Sequence, residues 1–253
     1  MKLLRPVWPG ETHRISAVST YRDGGESTTA YAAADGAGGL NLALHVGDDP
    51  HTVARNRAAL RAYLPAEPFW LNQVHGTAVV HAHAAKTVDA PPTADASIAT
   101  EPGVVCAILT ADCLPVLLCD PTGRVVGAAH AGWRGLAGGV VQQTVIAMRD
   151  AGANEIMAWL GPAIGPSAFE VGAEVRAMFC DQHPKADSAF IARADCPGKY
   201  LADLYALARL ALGQVGVSAI SGGDQCTLLQ PENYFSFRRD KRCGRMASLI
   251  WIR

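Results

Sequence analysis

Much is missing from this chain of 253 residues. No apolar run approaches the roughly 20 residues that a membrane-spanning helix needs. The first stretch, MKLLRPVWPGETHRISAVST, lacks the apolar centre of a secretory signal. No Cys-x-x-Cys pair occurs, which argues against a structural zinc knuckle. Neither a GxxxxGK[ST] loop nor a dinucleotide-binding glycine fingerprint is present. An excess of charge is missing too: 22 basic residues face 23 acidic ones, for a net charge of -1. Such a balance gives no electrostatic reason to expect nucleic acid or an anionic membrane as partner. The 7 cysteines are odd in number and scattered, which suits free thiols in a reducing compartment better than a disulfide framework. Together these absences predict a cytoplasmic protein.

What is present is core-forming material. Hydrophobic residues make up 49% and charged residues 18%, an ordinary globular balance. Met1 to Ser19 reads as an opening strand region, and Thr20 to Gly39 as a long polar loop. NLALHV (41–46) reads as a strand. Asp49 then caps a helix with Pro50 at its first position, running to about Tyr63 with Val53, Ala54, Leu60 and Leu64 on its buried side. Strands are predicted at 69–74, 77–83 and 104–109. Gly135 to Asp150 reads as one helix with Val140, Val141, Thr144, Val145 and Met148 at helical spacing. Further elements are a strand at 155–160, a helix at about 172–182, an irregular stretch at 181–198, an amphipathic helix at 200–215, and strands at 217–221 and 247–252. Strands alternate with helices, yet several strands meet through tight turns. That predicts a single α/β (α+β) domain over residues 1–253 with mixed sheets, not a plain doubly wound fold.

The centre of the chain is TADCLPVLLCDPTGRVVGAAHAGWRGLAGG (110–139). Leu114 to Cys119 is one apolar run, Asp120 to Gly123 is turn chemistry, and Arg124 to Ala129 is a second run. Cys113 and His130 stand at the outer ends. With a two-residue loop they lie directly opposite each other on one face; a one-residue bulge at Gly123 turns them to opposite faces. Thiol and imidazole so placed serve as nucleophile and base, or as two metal ligands.

Eight histidines are present. His75 resembles His130 in following a strand-like run and preceding a glycine, a place where sites tend to form. If His75, Cys113 and His130 converge, two imidazoles and a thiolate suit zinc and leave a fourth position open. An open position marks catalytic zinc, because water there ionises near neutral pH. His81 and His83 share a strand face and read as surface residues. Gly132, Gly135, Gly138 and Gly139 form an amide-rich turn at a helix start, where phosphate can sit beside Arg134. Arg238, Arg239, Lys241, Arg242 and Arg245 form a basic run, and one or two facing a cleft would hold phosphate by paired hydrogen bonds. Arg134 and Arg239 are the substrate-binding candidates. Asp112 and Glu170 are the candidate acids or bases.

LNQVHG (71–76), TADCLPVLL (110–118), HAGWRG (130–135), GPAIGP (161–166), FSFRRD (235–240) and GRMASLIW (244–251) occur in one order. With NLALHVGDDP (41–50), they resemble the YfiH or laccase-domain family, long labelled polyphenol oxidase. The resemblance implies a layered α/β/β/α sandwich, shared distantly with a Cys–His deamidase toxin. It implies phosphorolysis of adenosine, inosine, guanosine and methylthioadenosine, and deamination of adenosine. By matching motifs, the family's zinc ligands fall on His75, Cys113 and His130. Two departures stand out: GPSAFEVG (165–172) where the family often has GPCCYEVG, and CTLL (226–229) where it often has CTYC. They weaken any proposal that extra cysteines bind copper.

The leading expectation is a zinc-dependent purine nucleoside enzyme with nucleosides and phosphate as partners, in a monomer or weak homodimer. In phosphorolysis, phosphate attacks ribose C1′ while positive charge develops on the sugar. In deamination, water attacks the purine C6, with Asp112 or Glu170 moving protons. Alternatives are a metal-free hydrolase using Cys113 and His130, such as an amidase acting on peptidoglycan precursors, and a copper-dependent phenol oxidase. Only His81-Ala82-His83 offers the spacing copper sites favour, with no partner cluster downstream.

Overall fold

The central strands carry apolar residues at every position, so both of their faces must be covered. The computed structural model describes residues 1–83 and 90–253. In chain order the strands begin with β1 (Leu3–Leu4), β2 (Ile15–Thr20) and β3 (Asp23–Ser27). Helix α1 (Pro50–Arg61) follows, then β4 (Pro68–Phe69), β5 (Val79–His81), β6 (Ala96–Ala99), β7 (Val105–Thr110), β8 (Leu114–Cys119) and β9 (Val126–Ala131). Next come α2 (Trp133–Gly138), α3 (Val140–Asp150), β10 (Met157–Leu160), β11 (Glu170–Gly172), α4 (Ala173–Cys180), β12 (Phe190–Ala192) and β13 (Lys199–Ala202). The chain closes with α5 (Leu204–Gln214), β14 (Ala219–Gly222), α6 (Phe237–Asp240) and β15 (Met246–Ile252).

One sheet has the order β1-β2-β15-β7-β4, a second β14-β10-β8-β9-β6-β5, and a small third β11-β13-β12. Both large sheets are mixed: each is antiparallel inside with a parallel pair at one or both edges. Side chains alternate along each strand. On β7, Cys106 and Ile108 face the second sheet, while Val105, Ala107 and Leu109 face outward toward Leu60 and Leu64 at the end of α1. On β8, Leu117 and Cys119 face the first sheet, while Leu114, Val116 and Leu118 pack with α3 and α5. The result is the α/β/β/α sandwich, with three apolar layers.

Several expected elements differ. NLALHV is irregular, not a strand. Its first carbonyls are satisfied by side chains of α1 instead of a neighbouring strand: Asn56 donates to Asn41 O at 2.9 Å and Arg57 to Leu42 O at 2.9 Å. Asp49 caps α1 as predicted, accepting from Thr52 N. Ala54, however, is exposed, and Asn56 takes a buried place. The predicted loop 20–39 contains β3, and the irregular stretch 181–198 contains a 3-10 turn and β12. The predicted strands at 69–74 and 77–83 shorten to β4 and β5. The single helix at 135–150 is two, because Gly139 takes φ +95 and ends α2. The helix predicted from Tyr200 begins at Leu204, with Asp203 as its cap, and Tyr200 and Leu201 lie in β13.

The central hairpin register is neither of the two expected. Asp120 N donates to Val125 O at 2.9 Å, so the loop holds four residues, 121–124, with Gly123 at φ +75. His130 therefore faces Pro115, and Leu114 faces Ala131. A shift of two residues preserves faces, so Cys113 and His130 remain on the side directed at the other sheet.

Candidate metal centre

Thr110 ends β7 in one sheet and Leu114 begins β8 in the other, so residues 111–113 carry the chain between sheets. Asp112 makes the turn in the left-handed region, at φ +91. Cys113 is delivered there, half-buried, at one end of the sandwich. His130 comes from β9 and is only 4% exposed. His75 comes from the loop between β4 and β5 and is exposed.

Three separate segments thus meet. One donor atom from each of His75, Cys113 and His130 lies within 4.8 Å of the others. Cys113 Sγ is 3.7 Å from His75 Nε2, and the two imidazole rings stand edge to face at 4.7 Å. Among the described residues this is the one cluster of His, Cys, Asp or Glu with such geometry.

A fourth residue, absent from the sequence reading, organises two of the three. Asp95, immediately before β6, is fully buried. Its Oδ1 accepts from His75 N at 2.9 Å and from His130 Nδ1 at 2.8 Å. Its Oδ2 accepts from Val74 N at 3.1 Å and Gly76 N at 2.6 Å. A single carboxylate therefore holds the 74–76 loop, with His75 at φ +61, and turns the His130 ring so that Nε2 faces the cluster. Burial works against its charge, but the His130 bond and the Gly76 and Val74 amides outweigh that and hold the carboxyl below its ordinary range. An acid between two alanines at the start of an apolar run was the available signal.

Electrostatics tie Cys113 to His130. Burial alone would raise the thiol, but the His130 charge and hydrogen bonds from His130 and His75 lower it to about 6. Burial would lower His130, and Cys113 and Asp95 raise it to about 9. Each group shifts the other toward its charged form, which favours a thiolate beside an imidazolium in the metal-free site.

The glycines of 132–138 serve close approach. A Cβ on Gly132 would lie 2.9 Å from Cys113 Sγ and 2.9 Å from His75 Cδ2. One on Gly135 would meet Gly76 O at 2.9 Å, and one on Gly138 would meet Thr77 Cγ2 at 2.9 Å. Spaced by three, they form the face of α2 against which residues 75–77 pack. Gln73 fixes the same loop from the other direction, bonding both N and O of Leu109 at 2.8 Å like a neighbouring strand.

The trio borders a cavity of about 230 Å³, also lined by His45, Gln73, Phe237 and Arg245. Burial, Arg245 and Arg57 hold the His45 imidazole below its ordinary range. The expected acids and arginines lie elsewhere. Asp112 is buried; its Oδ1 accepts from Thr227 Oγ1 at 2.6 Å and its Oδ2 from Arg238 N at 2.6 Å. Glu170 pairs with Arg193. Arg239 donates to Thr227 O, Leu228 O and Tyr234 O, all backbone. Arg134 is exposed and lies over the Trp133 ring at 4.3 Å. None of the four lines the cavity. Sequence spacing could not show which charges point inward; of the basic run, Arg245 does.

No helix among the described residues is long and apolar enough to cross a membrane. The chain is 51% identical over 257 residues to the purine nucleoside phosphorylase YfiH of Escherichia coli, with 99% of each chain covered. It is 48% identical over 249 residues to a purine nucleoside phosphorylase of Pseudomonas aeruginosa, with 98% of each covered. A crystal structure of a Neisseria meningitidis protein superposes with a TM-score of 0.91 at 47% identity, covering 100% of this chain and 99% of that one. YlmD from Geobacillus stearothermophilus gives 0.87 at 33% identity, covering 100% and 97%. Residues 16–253 match the family model described as multi-copper polyphenol oxidoreductase laccase, and the chain belongs to that family.

Proposed function

We propose that this protein is a zinc-dependent purine nucleoside phosphorylase that acts on adenosine, inosine, guanosine and methylthioadenosine and also deaminates adenosine. The observation that carries the reading is the convergence of His75, Cys113 and His130 beside a small cavity, in a chain about half identical to enzymes named purine nucleoside phosphorylase.

The donor set fits zinc. Bond lengths of about 2.3 Å to sulfur and 2.0–2.1 Å to nitrogen place tetrahedral S and N ligands about 3.6 Å apart. Cys113 Sγ and His75 Nε2 are 3.7 Å apart without adjustment. His75, Cys113 and His130 would hold the ion, with Asp95 fixing the His130 ring behind them. Bound there, zinc supplies Lewis-acid polarisation.

In phosphorolysis a phosphate oxygen bonds to ribose C1′ and the C1′–N9 bond breaks. The purine leaves with the bond pair and takes up a proton. Outside the trio, His45 is the cavity-lining group able to move a proton near neutral pH; Asp112 and Glu170, the candidates for moving protons in deamination, do not line the cavity. The attacking hydrogen phosphate supplies that proton, and the low-lying His45 imidazole, neutral at pH 7, can relay it from phosphate to purine.

The test is to purify the protein without added metal, quantify zinc and copper by elemental mass spectrometry, and assay adenosine with and without phosphate. Near-stoichiometric zinc, with adenine appearing only with phosphate and inosine in either case, supports the reading. Absence of metal and of nucleoside turnover refutes it.

One observation favours a second reading, a metal-free cysteine hydrolase. The Cys113 thiol lies at about 6, His130 at about 9, and Asp95 orients the imidazole, as a nucleophile–base–acid triad requires. A copper oxidase needs several metal sites. Among the described residues one cluster is present, and His81 bonds Thr100 Oγ1 instead.

A further inference from the structure

The cavity has a second wall that the metal trio leaves unused. Arg245, Phe237 and His45 contribute to it, and no carboxylate lines the cavity among the described residues. Arg245 therefore presents its charge there without a counterion. Its NH1 donates to Cys243 O at 2.9 Å and Gly244 O at 3.1 Å. Its Nε and NH2 make no hydrogen bond among the described residues. Those two N–H groups lie parallel on one edge of the guanidinium, the fork that matches two oxygens of a phosphate.

Beside it stands Phe237, 50% exposed, with its ring 5.7 Å from the Arg245 guanidinium carbon. An exposed phenyl ring on a loose loop would be unremarkable. This one is carried on α6, which is anchored at several points. Ser236 Oγ accepts from Arg239 N at 3.3 Å, Asp112 accepts from Arg238 N, and the Arg239 side chain binds three carbonyls. The backbone that carries the ring is therefore fixed at the rim. At about 230 Å³ the cavity lies below the range of about 300–1,000 Å³ common for drug-sized ligands. It can enclose only part of a nucleoside, which leaves the base at the rim where Phe237 stands.

We propose that the Nε–NH2 edge of Arg245 binds the oxyanion and that Phe237 is the stacking platform for the purine. This rests on the phosphorylase reading above and names the subsites of that cavity.

The test compares wild type with Arg245→Gln, Phe237→Ala and Phe237→Trp, all as purified holoprotein, with metal content and thermal midpoint as controls. Calorimetry measures inorganic phosphate, adenosine and adenosine monophosphate separately. Arg245→Gln is expected to weaken phosphate binding roughly tenfold or more while leaving adenosine within a few-fold. Loss confined to adenosine monophosphate would assign the same oxyanion subsite to a phosphate ester on the ligand. Phe237→Ala is expected to weaken adenosine roughly tenfold, raising KM more than it lowers kcat, and Phe237→Trp to restore it. Unchanged binding of all three ligands in both Arg245→Gln and Phe237→Ala overturns the proposal. Wild type that binds these ligands but turns none over refutes the phosphorylase reading alone, since calorimetry still decides the subsites.

Discussion

Replacing Asp95 with asparagine tests the organisation of the centre most directly. The change keeps the shape and removes the charge. The carboxylate accepts four hydrogen bonds, two at each oxygen. An amide has one accepting oxygen, so in either orientation two N–H donors face an NH2 group. Hydrogen bonds to a charged group contribute about 1.5–3 kcal/mol each, which gives about 3–6 kcal/mol for the two lost. For a chain of this size each kcal/mol moves Tm by about 2–4 °C, so the metal-free variant should melt about 6–24 °C below wild type. The loop bearing His75 at φ +61 loses its anchor, and zinc affinity should fall about 10- to 100-fold. Circular dichroism melting and competition with a chromophoric chelator measure both. A variant that melts within about 2 °C of wild type and keeps its zinc affinity would refute the claim that Asp95 holds the loop and ring. The wild-type contribution also has a pH sign. The folded carboxyl lies below its ordinary value of about 3.9, so its stabilisation is present above that pH and is lost as pH falls through the lower folded value.

Other perturbations separate the remaining roles. Metal-free protein should be alkylated at Cys113 by iodoacetamide with a rate that rises through about pH 6 and levels off by about pH 7, whereas an ordinary thiol waits for about 8.5. Zinc-loaded protein should be protected, and equal rates with and without zinc, read by peptide mass spectrometry, would count against Cys113 as a ligand. His75→Asn should abolish zinc binding and nucleoside turnover with little change in the metal-free melt, since His75 is exposed and asparagine tolerates its left-handed backbone. Gly132→Ala should place a methyl 2.9 Å from Cys113 Sγ and His75 Cδ2, costing about 1–3 kcal/mol of stability and weakening zinc at least several-fold in the same chelator assay.

Local chemistry was legible where it acts locally. The first strand of the hairpin runs from Leu114 to Cys119 as its apolar run predicts, Asp49 and Pro50 start α1, and the predicted stripe of α3 is buried throughout. The hairpin register was not legible, because Asp120 spends its side chain on the turn itself. It accepts from Thr122 N and Thr122 Oγ1 and stabilises a loop two residues longer than the tightest one. NLALHV misled for a related reason. Its buried Leu42 and Ala43 look like a strand, yet the partners of the Asn41 and Leu42 carbonyls are side chains of a helix that follows.

The trio and Asp95 show the same division between near and distant causes. His75, Cys113 and His130 each stand at the end of an apolar run beside a glycine or a turn, so each could be suspected separately. Asp95 is defined only by what surrounds it after folding: three amides from a loop some twenty residues earlier and an imidazole from β9. Asp112 is its mirror case. Placed next to Cys113, it invites a catalytic role, but the φ of +91 that lets the chain change sheets turns its carboxylate toward Thr227 and α6. Its influence on the cavity runs through Phe237, which α6 carries. Distance along the chain therefore misjudges both acids: the one beside the ligand acts on the rim, and the one far from any ligand in sequence sets the geometry of two of the three.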